Sequence, residues 1–213
     1  MPKGLVKDLS GDKHEPGRRV LIIRHGQTML NKEDKIRAWA DVPLDDTGME
    51  QAIMLGKSMK KEGTELDGIC SSDLLRSVQT SLAISRETGI PIYGTYKFLR
   101  PLDVGTYTAK DGPMVHKIIA EHAINEPFEP IGNGESFEIF KHRFLTGVIG
   151  ILNSNPGKVL GLTSHSRGER IMHAWVAAGC PEDLEIDMDE FLARGENTAT
   201  AQWLNITCSL VLP

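Results

Sequence analysis

Two stretches of the chain carry an apolar run straight into a histidine. Val20-Leu21-Ile22-Ile23 leads to Arg24-His25-Gly26-Gln27-Thr28, and Lys158-Val159-Leu160-Gly161-Leu162-Thr163 leads to Ser164-His165-Ser166-Arg167-Gly168. A short, β-branched apolar run reads as a buried strand. In open α/β sheets, ligands bind at the carboxyl ends of such strands. There the imidazole of His25 is a candidate nucleophile or base, and Arg24 a fixed anion donor. Gly26 lets the backbone approach a ligand closely or turn sharply. Arg76 falls in the first turn of a predicted helix, where unpaired N–H groups already favour an anion. A metal site on the two histidines is a poor reading, because no third ligand accompanies them at fixed spacing and the arginines would repel a cation.

These side chains need elements to hold them. Leu66–Cys70 reads as a second strand, and Ile90–Tyr93 as a third. Ser72 is placed to cap a helix from about Asp73 to Glu87. Thr47-Gly48-Met49-Glu50 has a capping-box pattern, and Ala52, Leu55 and Met59 then recur at helical spacing. Residues 29–37 read as a surface loop. A block from about 97 to 152 is long for a crossover. It reads as a partly helical insertion over the site, with one helix near Met114–His122 and another marked by Phe137, Phe140, Phe144, Val148 and Ile151. A helix from about Glu169 to Ala178 follows the second histidine, and Thr198–Ile206 and Ser209–Leu212 read as closing strands. His116, His122 and His142 read as surface residues of the insertion, and His173 as packing. Residues 1–18, polar and including His14, read as a flexible arm before a single domain over 19–213. Repeated strand–helix units imply an α/β fold, a three-layer α/β/α sandwich with a mostly parallel central sheet.

Composition sets outer limits. The 213 residues, 40% hydrophobic and 25% charged, are those of a globular chain with a sizeable core. A net charge of −5 argues against a non-specific nucleic-acid binder but leaves room for a local basic pocket holding an anionic small molecule. Cys70, Cys180 and Cys208 are scattered and odd in number, which fits a reducing cytoplasm better than a disulfide framework or a zinc site. No run is long enough to span a bilayer, and no membrane partner is expected. No apolar heptad marks an oligomer interface, so the oligomeric state stays open.

The set Arg24, His25, Arg76 and His165 resembles the histidine phosphatase superfamily, the phosphoglycerate-mutase-like enzymes. Arg24-His25-Gly26-Gln27-Thr28 with Asn31 is similar to its nucleophile motif. Ile36-Arg37-Ala38-Trp39 with Asp41-Val42-Pro43-Leu44 and Gly48 resembles the following loop. Ser71-Ser72-Asp73-Leu74-Leu75-Arg76-Ser77-Val78-Gln79-Thr80 resembles the arginine helix, Gly134-Glu135-Ser136 a helix start in the insertion, and Ser164-His165 the second histidine. Each fragment is modest alone; five in the right order are specific. The resemblance implies a phosphatase acting on a small phosphomonoester, with no cofactor and no metal. His25 would carry the phosphoryl group, while Arg24, Arg76 and His165 surround its oxygens, His165 helping most if protonated. It also suggests that Gln27, Thr28, Asn31, Arg37 and Glu135 meet the substrate, although Arg37 fits a solvated loop equally well. Phosphoglycerate-mutase chemistry, or a non-catalytic phosphate-binding module, are the competing readings.

The chain departs from the family at one place. The usual proton donor, a glutamate four residues before a glycine, is replaced by Pro101 in Leu99-Arg100-Pro101-Leu102-Asp103-Val104-Gly105. Residues two apart on an extended segment share a face. Asp103 is therefore the nearest substitute acid, although a turn aspartate is an equal reading. Its reference pKa of about 3.9 would have to rise for it to act near neutrality. Glu169, one turn past His165, is a weaker candidate.

Overall fold

The computed structural model describes residues 6–8, 17–193, 199–207 and 210–211. His14, Cys208 and Ser209 lie outside them.

Among the described residues, six strands form one sheet in the order β1 (Val6–Asp8), β6 (Ala201–Ile206), β2 (Arg18–Arg24), β5 (Leu160–Ser164), β3 (Gly68–Ser72), β4 (Ile92–Tyr96). All pairings are parallel except β2 with β6. The same residues hold seven α-helices: α1 (Met29–Lys32), α2 (Asp46–Lys61), α3 (Leu75–Thr88), α4 (Gly112–Asn125), α5 (Phe137–Ser154), α6 (Ser166–Ala177) and α7 (Met188–Ala193).

The alternation within β2 divides the core. Val20 and Ile22 pack into the larger cluster with Phe140, Phe144 and Trp175 of α5 and α6. Leu21 and Ile23 face Leu55, Met59 and Ile84 of α2 and α3 on the other side. A strand buried on both faces must be apolar at successive positions, as this one is. The result is the α/β/α sandwich with a mostly parallel sheet, and the block from 97 to 152 does carry two helices.

Several local expectations change. Val6–Asp8, within the stretch read as an arm, pairs with β6 at the sheet edge, and Arg18 already belongs to β2. Residues 29–32 are a helical turn rather than loop, because Thr28 and Asn31 close a reciprocal capping box. Helix α2 is capped by Asp45, whose side chain accepts from Gly48 N, so the Thr47 pattern begins inside the helix. Leu210 and Val211 form turn and bend, not strand.

Candidate active site

Register brings the two histidines together. Strands β2 and β5 are parallel neighbours with Arg24 opposite Ser164. The next residue of each, His25 and His165, therefore leaves the sheet side by side. Their ring centroids are 5.0 Å apart at 60°, edge to face. Strand β3 lies on the other side of β5, with Ser71 opposite Thr163, which places Ser72 and the α3 residue Arg76 against the same spot. Three adjacent strand tips thus supply the centre.

The backbone around His25 is tightly set. Its N–H donates to Ser164 O, and its carbonyl accepts from Ala199 N. A Cβ on Gly26 would collide with the Gly48 carbonyl, and one on Gly48 with that of Gln27, so both positions need glycine for the strand exit to lie against α2.

One ring nitrogen of His25 is committed. Nδ1 donates to Gly26 O at 2.7 Å, which fixes the tautomer and leaves the Nε2 lone pair available. Burial, then Arg76 and Arg24, push the His25 pKa well below 6.5, so the ring is neutral and nucleophilic at physiological pH.

His165 is also neutral. Burial dominates, followed by Arg76, His25 and the other guanidinium groups, and together they hold it well below 6.5. The protonated form, in which it would help most, is therefore disfavoured first by burial and then by the surrounding cations. Its Nε2 lies 2.9 Å from Ser72 Oγ and 3.4 Å from Ser77 Oγ, while its buried Nδ1 has no hydrogen-bond partner. Ser72 therefore orients this imidazole rather than capping α3. The helix is capped from another loop, Asp41 Oδ1 accepting from Leu75 N at 2.7 Å.

Arg76 is fully buried. Its two terminal nitrogens donate to Ala40 O at 2.7 Å and Ala38 O at 2.8 Å, leaving buried Nε without a partner. Burial, with Arg37 next, lowers its pKa to about 9, still charged at neutrality. Arg24 is buried at the end of β2.

The cavity over His25 is lined by Arg37, Arg76, Pro101, His116, His165 and Arg167, among others, and by no carboxylate among the described residues. Arg37 thus lines the pocket. Pro101, where the family's acid is expected, faces the same cavity.

Other expected residues serve the frame. Gln27 donates to Asp45 at 3.0 Å, and Thr28 and Asn31 hold each other in the α1 cap. Glu135 is gripped by Arg143 at 2.6 Å and 2.8 Å and accepts from Asp103 N, so it braces the insertion and does not line the cavity. Asp103 also lies outside the lining. Its Oδ1 accepts from Gly105 N at 3.0 Å, at the turn where Val104, at φ −109°, ψ 15°, leaves the extended region. Glu169 accepts from Gln202.

His116 and Arg167 are the residues that the sequence reading missed. His116, read as surface, lines the cavity, and Arg167 donates to its Nδ1 at 2.9 Å. The available signal was its place one turn before the buried Ile119 on α4, and that of Arg167 two residues after His165.

A family model described as the histidine phosphatase superfamily (branch 1) matches residues 20–189. Curated relatives include a 2,3-bisphosphoglycerate-dependent phosphoglycerate mutase of Porphyromonas gingivalis, 41% identical over 63 residues, which are 30% of this chain and 25% of that one. A phosphoglycerate mutase of Staphylococcus carnosus is 35% identical over 81 residues, 37% of this chain and 36% of its own. The matched segment thus spans about a quarter to a third of these relatives. Among solved structures, Bacillus stearothermophilus YhfR has a TM-score of 0.71 at 22% identity, covering 92% of this chain and 98% of that one. A phosphoserine phosphatase of Entamoeba histolytica, solved with 3-phosphoglyceric acid, gives 0.66 at 19% identity over 87% and 89%.

Proposed function

The chain belongs to branch 1 of the histidine phosphatase superfamily, and from that premise we propose that it is a phosphatase hydrolysing a small phosphomonoester through a phosphohistidine on His25. The supporting observation is the Nδ1–Gly26 O hydrogen bond, which leaves Nε2 of a neutral imidazole as the nucleophile within a ring of guanidinium groups. Nε2 bonds phosphorus in line, the ester P–O bond breaks, and the leaving oxygen departs with the bonding pair. Water then bonds phosphorus, the N–P bond breaks, the electron pair returns to Nε2, and the water proton passes to solvent. Arg24, Arg76 and the Nδ1–H of His165 hold the equatorial oxygens, stabilising charge that spreads over them in the transition state. The scattered cysteines support a reducing, cytoplasmic setting for this activity.

The experiment is a rapid quench of the enzyme with a 32P-labelled aryl phosphate. An acid-labile label on His25, absent from His25→Ala, supports the reading; steady turnover with no labelled protein overturns it.

The absence of a carboxylate among the described lining residues favours a second reading, a phosphate-binding module that has lost its acid. Inorganic phosphate binding without turnover of any phosphomonoester would select it. Isomerisation dependent on 2,3-bisphosphoglycerate would instead select mutase chemistry.

A further inference from the structure

The cavity over His25 does not end at His116 and Arg167. Both residues also line a second cavity, between α4, α6 and α7, whose floor includes Phe191 and Leu192. Its other polar residues are Lys117 and Arg170, and no carboxylate lines it among the described residues. The two adjoining cavities, which share His116, Ile119 and Arg167, thus present Arg37, Arg76, Lys117, Arg167 and Arg170 in a chain with five more acids than bases.

We propose that this second cavity is a subsite for a second anionic group, so that the preferred substrate is a phosphomonoester carrying another phosphate beyond an apolar spacer. The proposal rests on the phosphatase reading of the first cavity. His116 and Arg167 form the neck, the spacer lies over Phe191 and Leu192, and the distal phosphate meets Arg170 and Lys117. Arg170 is half-buried and also reaches Phe191 O at 3.4 Å, so its guanidinium is held at the floor. Lys117 lies 3.8 Å from Glu121, but both are exposed, and such a pair yields readily to a phosphate. A planar guanidinium suits a phosphate by its bidentate geometry, and an ammonium by its charge.

The test is calorimetric binding of linear α,ω-alkane bisphosphonates of increasing length, each compared with the alkyl monophosphonate of the same chain. One length should bind roughly tenfold or more tightly than its partner, a gain lost in Lys117→Ala/Arg170→Ala and kept in Lys117→Arg. If no bisphosphonate exceeds its monophosphonate, or the double variant keeps the gain, the proposal is overturned. Labelling of His25 is scored separately. A labelled His25 with no bisphosphonate preference would discard the subsite and spare the phosphatase, and the reverse result would do the opposite.

Discussion

Ser72 Oγ, at the end of β3, lies 2.9 Å from Nε2 of His165, at the end of β5. The contact turns the buried, unpartnered Nδ1 into the nitrogen available to a ligand. Ser72→Ala is expected to lower kcat/KM for an aryl phosphate by roughly tenfold, a net hydrogen bond being worth about 1 kcal/mol or more when buried. Ser72→Thr should recover most of the loss, which a purely packing role would not predict.

Arg76 bridges two carbonyls as well as facing the cavity. Arg76→Lys offers a single ammonium where two separated acceptors need a fork. Chemical denaturation should show a loss of about 1–3 kcal/mol for the carbonyl left unpaired. Inorganic phosphate should also bind at least tenfold more weakly. Unchanged phosphate affinity would remove Arg76 from the anion site.

Stability should fall as acid is added. His25 and His165 have native pKa values well below 6.5, whereas in the unfolded chain both titrate near that value. Below about 6.5 the unfolded state binds more protons than the native state, so stability rises with pH there and is fully present above it. Each histidine contributes a slope of at most about 1.4 kcal/mol per pH unit. Urea unfolding from pH 7 downward measures it. Saturating phosphate, by supplying negative charge to the cage, should flatten the slope.

Leaving-group dependence should be steep. With no carboxylate among the described residues that line the cavity, an alkyl phosphate is offered no positioned acid by them, whereas an aryl oxygen departs unaided. Aryl esters should exceed alkyl esters in kcat/KM by at least about a hundredfold, the lower range of what a general acid contributes. Asp103→Asn should leave that ratio unchanged, since an amide oxygen can still accept from Gly105 N. A selective loss on alkyl esters would restore Asp103 as the acid.

The sequence carried the centre further than its surroundings. An apolar run that stops on a histidine is a local signal, and the convergence of His25 with His165 follows once β2 and β5 are parallel neighbours. What escaped depended on pairings distant in the chain. Ser72 looked like a cap because its nearest helix begins three residues on, yet its partner lies 93 residues away across a strand register. His116 reaches the cavity only because α4 docks over it, and no spacing within 97–135 encodes that docking. Asp103 turns to Gly105 N instead of the cavity, a local bond that its extended-segment reading did not display. The lowered pKa of His165 was also not legible, because it comes first from burial and then from arginines distant in the chain.

The covering segment is fastened at its root. Arg100 clasps Asp73 through two contacts of 2.7 Å and lies over Trp39, whose Nε1 donates to Pro101 O at 2.8 Å. Arg143 joins Glu135 to Phe98 O at 2.8 Å. The far limb, α4, carries none of these fastenings and meets the cavity through His116 and Ile119. On the proposed function, a lineage can rewrite residues 112–125 and adopt a new diet while the three strand tips go on performing the same exchange.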